Sequence, residues 1–320
     1  MRILVVGAGA TGGYFGGRLL QAGRDVTFLV RPRRAALLRE HGLTIRSRVG
    51  DFHRPAPPVV TQETLRETFD LVLLSCKAYD LDDAIASFAP AVGPSGAILP
   101  LLNGMRHLDV LAERFGAERV LGGQCVISST LDAEGAILHL NDLHSLTFGE
   151  LAGGRSARIE AVAADLSDAG FEARLSEAIR QEMWEKWVFI ATIAGMTCLM
   201  RASTGDIVAA GAAELTSSLV DECAAIAAAQ GFAPRAAVLE RTRAAFTAPG
   251  SPLTASMLRD IENSMPVEAD HVLGDLLRRA AKPGDHPILR IAYAHLKAYE
   301  ARRAREAAAR SEERRVGKEC

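Results

Sequence analysis

The sequence predicts an α/β fold, with an N-terminal doubly wound parallel sheet followed by an all-helical C-terminal domain. Three observations predict it. An apolar run leads straight into Gly7-Ala8-Gly9-Ala10-Thr11-Gly12 and then into helix-compatible text. Two further apolar runs, at 71–76 and 97–102, each give way to a polar residue and then to a helical stretch. From residue 177 onward the pattern is almost wholly helical, rich in alanine and poor in β-branched runs. Strands alternating with helices make a parallel sheet, whereas a run of helices makes a layer or domain of its own.

Ile3-Leu4-Val5-Val6 is apolar and β-branched, long enough for one buried parallel strand. Residues 14–21 suit a helix, and Gly23 is a usual residue just past a helix end. Asp25-Val26-Thr27-Phe28-Leu29-Val30 reads as the next strand. Strand, Gly-x-Gly-x-x-Gly, helix, strand is the first half of a dinucleotide-binding, Rossmann-type βαβ unit. Gly7 makes the tight turn, Gly9 lets backbone approach a pyrophosphate, and Gly12 lets the helix pack close to the strand. Unpaired amides and the helix dipole then hold the anion, which assigns Gly7, Ala8, Gly9, Ala10, Thr11 and Gly12 to the cofactor. The correct flanks on both sides weigh against a glycine-rich turn that only permits packing.

The end of the second strand selects the dinucleotide. An NAD enzyme wants Asp or Glu there for the ribose 2′-hydroxyl. Arg31 holds the position, Arg33 and Arg34 follow, and no acid appears before Glu40. A guanidinium offers a 2′-phosphate a forked, charge-assisted pair, so NADPH is the expected cofactor. Taken individually, Arg33 and Arg34 read as ordinary solvated loop charges.

Residues 43–60 read as an irregular hairpin and a third strand. The 71–76 run ends at Lys77, and the 97–102 run at Asn103-Gly104. Open α/β sheets bind ligands at the carboxyl ends of their strands, which puts Lys77 and Asn103 on the same rim as the glycine loop. The bland alternatives are a solvated lysine and a plain turn dipeptide. Residues 120–149 look like strands and tight turns, with Asp132-Ala133-Glu134-Gly135 as one turn, and are expected to close the same sheet with antiparallel members. A helix at 158–169 and a strand at 171–175 complete a first domain of residues 1–177.

The second domain, 178–309, opens with Glu182-Met183-Trp184-Glu185-Lys186-Trp187. Met183, Trp187, Ile190 and Ala194 share one helical face. Glu182 precedes Lys186 by one turn, so a surface ion pair is the plain reading of this lysine. Two tryptophans and Phe189 surround it in sequence, and a lysine near apolar bulk has its charged form disfavoured, as a proton donor needs. Further helices are expected at 213–230, 234–246, 253–262, 267–281 and 288–310, with Pro252, Pro266 and Pro287 near helix starts. By pattern alone Ser256 is a helix-side hydroxyl and Glu268 a first-turn acid. Residues 310–320 read as a sequencing artefact or a disordered tail and are set aside from fold reasoning.

Composition excludes several classes of function. The 320 residues are 48% hydrophobic and 24% charged, with a formal net charge of −2, which gives no reason to expect nucleic acid or an anionic membrane as partner. No apolar run reaches the roughly 18 residues of a membrane span, and the first strand leaves no room for a leader. Five scattered cysteines without C-x-x-C spacing fit a reducing cytoplasm, and no histidine pair has metal-ligand spacing.

Gly7 to Gly12, Lys77-Ala78, Leu102-Asn103-Gly104-Met105, Trp184-Glu185-Lys186 and Val267-Glu268-Ala269-Asp270, taken in order, resemble the ketopantoate reductase (2-dehydropantoate 2-reductase) family. The likeness runs from Met1 to about Glu300. It implies a Rossmann domain and a helical domain, with NADPH and a 2-oxo acid in the cleft between them, in the reduction of 2-dehydropantoate to pantoate during pantothenate biosynthesis. By position, Arg31 matches the 2′-phosphate arginine. Lys77 and Asn103 match residues near the nicotinamide ribose, and Ser128 a backbone contact to the cofactor. Lys186 matches the proton-donating lysine, Ser256 a substrate contact, and Glu268 the acid that positions substrate and lysine. Hydride transfer to the C2 carbonyl builds negative charge on its oxygen, which Lys186 would stabilise and protonate.

The sequence departs from the family at the substrate. Ile190 and Ala194 stand where asparagines usually follow the lysine by one and two turns, and Thr204 at a later such position. Losing amides that bind a polar ligand weakens its recognition, so a more apolar 2-oxo acid or ketone is an alternative substrate. Another dehydrogenase with this domain pairing, and an NADPH-binding sensor without turnover, are the alternatives in kind. A homodimer is compatible with the sequence, which does not fix the oligomeric state.

Overall fold

The computed structural model describes the backbone of residues 1–319 and the side chains of residues 1–310. Cys320, and the side chains of 311–319, lie outside the described residues. The chain divides into two compact units. One comprises Met1–Leu102 and Arg106–Met183, and the other Asn103–Met105 and the chain from Trp184. The change in sequence character at 177 falls just ahead of the helix within which this division lies.

The first unit contains β1 (Arg2–Val6), α1 (Ala10–Gln21), β2 (Asp25–Leu29), α2 (Pro32–His41), β3 (Leu43–Arg46), β4 (Phe52–Arg54), β5 (Val59–Val60), β6 (Phe69–Leu74), α3 (Leu81–Phe88), β7 (Val92–Pro100), α4 (Arg106–Phe115), β8 (Leu121–Leu131), β9 (Ile137–Glu150), α5 (Ala157–Leu166) and β10 (Glu172–Leu175). Its first sheet has the order β5-β2-β1-β6-β7, parallel throughout. β1 lies at its centre, with Ile3, Leu4 and Val5 fully buried, as a continuous apolar run predicts. Arg31 and Lys77 follow β2 and β6 at one rim of this sheet, beside the loop that leaves β1.

The 120–149 region does not close that sheet. β8 and β9 pair with each other and form a second sheet, β10-β9-β3-β4, in which the 43–54 hairpin also takes part. A single parallel bridge, Ile98 to Val120, links this region back to β7. The reason lies on α1, which is buried on two sides. A Cβ on Gly16 would meet the Phe28 ring at 2.6 Å and Val5 at 3.0 Å. On Gly13 and Gly17 it would meet Ile137 and Ile45, each at 2.7 Å. The paired glycines thus give the helix a second flat flank, and a sheet needs its apolar face covered just as the helix does. Ile45, Ile137, Leu146 and Phe148 supply that face, all essentially without solvent contact.

The second unit contains the rest of α6 (Ile179–Met200), then α7 (Thr204–Ala209), α8 (Ala213–Ala229), α9 (Ala236–Thr247), α10 (Ser256–Glu262), α11 (Asp275–Arg278) and α12 (Pro287–Glu319). The expected helix at 267–281 is replaced by a π-helical turn, Asp270–Gly274, leading into the short α11. At its start the His271 amide (3.2 Å) and the Val272 amide (2.9 Å) both donate to the Glu268 carbonyl. Such turns occur at functional sites and leave no mark in hydrophobic periodicity. α7 was not foreseen, although Ser203 and Asp206 form a capping box at its start.

Gly12 makes the sharpest prediction. A Cβ there would lie 1.9 Å from Ser75 Oγ and 2.2 Å from the Gly7 carbonyl oxygen, a backbone atom that cannot step aside. Gly12→Ala is expected to lose about 1–3 kcal/mol to overpacking, outweighing the roughly 1 kcal/mol of helix propensity that alanine brings. Urea unfolding measures it, and a midpoint at or above wild type would refute the close approach.

Candidate active site

Half of the residues assigned to the cofactor line one cleft of about 410 Å³ at the rim of the first sheet. Gly7, Ala8, Gly9, Arg31 and Lys77 line it together with Arg34, Asp80 and Asp83. Gly7 has φ +96°, the left-handed conformation that suits glycine. Gly9 caps α1 without any side-chain hydrogen bond, and a Cβ on it would find nothing within 4 Å. The first turn of α1 contains no acid. The helix start therefore offers amides, a positive dipole end and open space, the requirements of a pyrophosphate. Ser75 fixes the turn by donating to the carbonyls of Val6 (3.0 Å) and Gly7 (3.2 Å).

Two guanidiniums lie beyond β2, in different states. Arg31 has two-thirds of its side chain exposed and donates to Asp80 at 2.6 Å, with Asp83 at 3.8 Å. Its pairing with Asp80 raises its pKa above the ordinary arginine value. Arg34 is more enclosed: its Nε donates to the Ala8 carbonyl at 2.9 Å, and its Nη2 is buried with no hydrogen-bond partner. Burial lowers the Arg34 pKa, with Asp132 opposing the shift. A partly buried cation with an unused donor beside a glycine loop suits an anionic cofactor. Sequence reading passed over Arg34, although it follows Arg31 at the helical spacing that puts both on one face.

Ala10, Thr11, Gly12, Asn103 and Ser128 are not among the cleft-lining residues, whereas Leu131, further along β8 than Ser128, is. Ser128 falls where the β8–β9 register breaks, between Ile127 and Ser129, so its main chain stands outside the regular ladder. Asn103 belongs to the second unit, in the short segment Asn103–Met105.

In that second unit three segments converge on the adjacent residues His271 and Val272. Trp187 donates from Nε1 to the Val272 carbonyl at 2.8 Å. Gly104, at φ +79°, packs so closely that a Cβ would lie 2.9 Å from the His271 carbonyl oxygen. The Glu268 carbonyl accepts from the amides of both His271 and Val272. Lys186 adjoins Trp187 and Asn103 adjoins Gly104. The segments carrying Lys186, Asn103 and Glu268 are thus tied together through the π-turn, while the three side chains themselves are half-buried. Ser256 is the exposed first residue of α10, whose preceding Ala255 amide donates to Thr197 Oγ1 of α6 at 3.3 Å.

The residues flanking Lys186 are both committed to the interior. Glu185, only 5% exposed, accepts from the Arg235 amide at 3.0 Å and from its Nε at 2.7 Å, with Nη2 also bonded. Trp184 and Trp187 pack at 4.9 Å between ring centroids, with the Arg279 guanidinium over both. One turn earlier, Glu182 accepts from Arg174 and from Ser176. Further along α6, Ile190 is half-buried and Ala194 buried. Thr204 is buried, and its hydroxyl has no hydrogen-bond partner.

A glycine-loop α/β unit followed by a helical unit defines a nicotinamide-dinucleotide oxidoreductase. The model of the ketopantoate reductase PanE/ApbA family matches residues 3–153, and that of its C-terminal domain residues 178–300, and the chain belongs to this family. The uncharacterized oxidoreductase YkpB of Bacillus subtilis is 39% identical over 303 residues, covering 94% of this chain and 99% of that protein. The 2-dehydropantoate 2-reductase of Halobacterium salinarum is 30% identical, covering 90% and 94% respectively. The crystal structure of 2-dehydropantoate 2-reductase from Methylococcus capsulatus superposes with a TM-score of 0.84 at 29% identity, covering 95% and 98%.

The Glu185–Arg235 pair makes a prediction about the frame around Lys186. Glu185→Ala is expected to cost about 1–3 kcal/mol, the range for hydrogen bonds to charged groups, with Glu185→Gln recovering part of it. Chemical denaturation of the three proteins checks this, and equal stabilities would dismiss the pair as a frame.

Proposed function

We propose that this protein reduces a 2-oxo acid to the corresponding 2-hydroxy acid with NADPH, and that 2-dehydropantoate is the leading candidate substrate. The observation that carries the reading is the second-unit frame, in which the segments of Lys186, Asn103 and Glu268 meet around residues His271 and Val272. Relatives bearing the name 2-dehydropantoate 2-reductase support the choice of substrate. The cofactor reading draws on Arg31 and Arg34 at the cleft, since an NAD site places an acid, and not an arginine, at the end of the second strand.

When bound, the reduced nicotinamide supplies the electron pair to the carbonyl carbon. The chain does the rest. Gly9 and the first amides of α1 hold the pyrophosphate, and Arg31 and Arg34 the anionic adenosine end. Lys77, Asn103 and the main chain at Ser128 orient the nicotinamide ribose. The Lys186 ammonium opposes the charge growing on the carbonyl oxygen and delivers the proton to it. Glu268 holds lysine and substrate in register, and Ser256 donates to the substrate carboxylate. Ile190 and Ala194 line the helix beyond Lys186 with apolar surface, which favours a less polar 2-oxo acid as the second choice of substrate.

NADPH oxidation with a panel of 2-oxo acids tests the proposal. Turnover with 2-dehydropantoate or a close analogue supports it, turnover only with apolar ketones moves the substrate, and tight NADPH binding without turnover leaves a sensor. Lys186→Ala is expected to lower kcat by about 10²-fold or more while NADPH still binds. Near-normal turnover in that variant would remove the assignment. Gly9→Ala separates packing from binding: with open space at its Cβ, it should keep wild-type stability and lose dinucleotide affinity. Unchanged affinity would mean that the pyrophosphate does not approach there.

A further inference from the structure

The short 3₁₀ turn that follows Lys77 carries a second functional group. It spans Ala78–Asp80, and the Asp80 amide closes it on the Lys77 carbonyl at 2.9 Å. The same turn that presents Lys77 to the cleft therefore presents Asp80 as well. The Asp80 carboxylate is directed at Arg31, with Nη2 to Oδ1 at 2.6 Å, and is the less exposed partner, 30% against 66%. Asp83 stands farther from the guanidinium, at 3.8 Å, and is 85% exposed, so solvent screens it heavily.

We propose that Asp80 is a specificity-determining residue for the cofactor: by holding the Arg31 guanidinium it weakens capture of a 2′-phosphate and tempers the preference for a 2′-phosphorylated dinucleotide over its 2′-hydroxyl counterpart. This rests on the proposed role of Arg31 in binding NADPH.

The argument is one of competition and of sign. An N–H of Arg31 bonded to a carboxylate is not available to a phosphate, so the 2′-phosphate must displace Asp80 or bind beside its negative charge. A ribose 2′-hydroxyl has neither difficulty, since a carboxylate is the acceptor such a hydroxyl takes in NAD sites. Asp80 therefore opposes one cofactor without opposing the other. Arg34 is not subject to this competition: its Nε donates to the Ala8 carbonyl and its Nη2 has no hydrogen-bond partner, so Asp80 holds neither.

The test is calorimetric titration with NADPH and with NADH, at one fixed ionic strength. It uses wild type, Asp80→Asn, Asp80→Ala, Arg31→Ala and the double variant Arg31→Ala/Asp80→Asn. Both Asp80 variants are expected to bind NADPH about three- to fivefold more tightly, the reach of one exposed charge pair, and NADH no more tightly. The gain should vanish in the Arg31→Ala background and shrink at high salt. If the Asp80 variants leave the NADH to NADPH affinity ratio unchanged while Arg31→Ala raises it, the inference falls and the cofactor reading stands. If Arg31→Ala also leaves the ratio unchanged, the cofactor reading falls and the inference with it. A gain that persists without Arg31 would show that Asp80 acts by another route and would equally overturn the proposal.

Discussion

The first unit depends on how near α1 comes to the carboxyl ends of β1 and β6. Ser75 Oγ bonds to the Val6 and Gly7 carbonyls from the space that a Cβ on Gly12 would need. One hydroxyl and one absent methyl thus fix the helix start, the turn at Gly7 and the end of β6 against one another. The consequences spread along the chain. Gly9 is left facing open space, and Lys77, two residues beyond Ser75, begins its turn at a defined distance from the loop. The same closeness requires the opposite flank of α1 to be flat, which the Gly13 and Gly17 positions provide and the second sheet covers. The open helix start and the sheet packing are two results of one steric condition.

The second unit is organised differently, around main-chain atoms. Two adjacent carbonyls, of His271 and Val272, receive Gly104 and Trp187, and the amides of the same residues close on Glu268. Backbone groups suit this task because their positions do not depend on rotamers, and buried ones must be paired in any case. Both carbonyls lie within the π-helical turn Asp270–Gly274. If Lys186 is the proton donor proposed above, its placement follows from committed neighbours: Glu185 turned to Arg235 and Trp187 turned to the π-turn leave it the half-buried residue between them.

Much of this was legible in the sequence, for reasons that can be named. The parallel sheet, the glycine loop and the helical second half follow from periodicity and from the steric needs of glycine, both local properties. Arg31, Lys77 and Asn103 drew notice because strand ends announce themselves in apolar runs, and the first two line the cleft. What escaped depends on non-local geometry. The second sheet exists because α1 has two buried flanks, which no single window reveals. The π-turn hides in text that scores as ordinary helix. Arg34 looked like a solvated loop charge because its enclosure comes from the Ala8 carbonyl, far away in sequence. Asp80 lay within reach of reading, three residues after Lys77, but its partner Arg31 is again remote. In each case a side chain's type was visible and its environment was not.

The same distinction explains why a reaction class can be assigned more firmly than a substrate. Opposing a developing negative charge takes a cation and something to hold it, a small set of groups recognisable by type. Selecting among 2-oxo acids takes hydrogen-bonding groups matched to one side chain. The positions after Lys186 on α6 offer instead the half-buried Ile190 and the buried Ala194. A hydrocarbon surface cannot strongly reject an isostere, whereas a site that must hydrogen-bond its ligand rejects one lacking the group by leaving polar atoms unpaired. With amides absent from those positions, nothing there is left unsatisfied by an apolar ligand. The penalty that would enforce a polar substrate is missing from that stretch of helix, and the selectivity of the site must come from the residues around it.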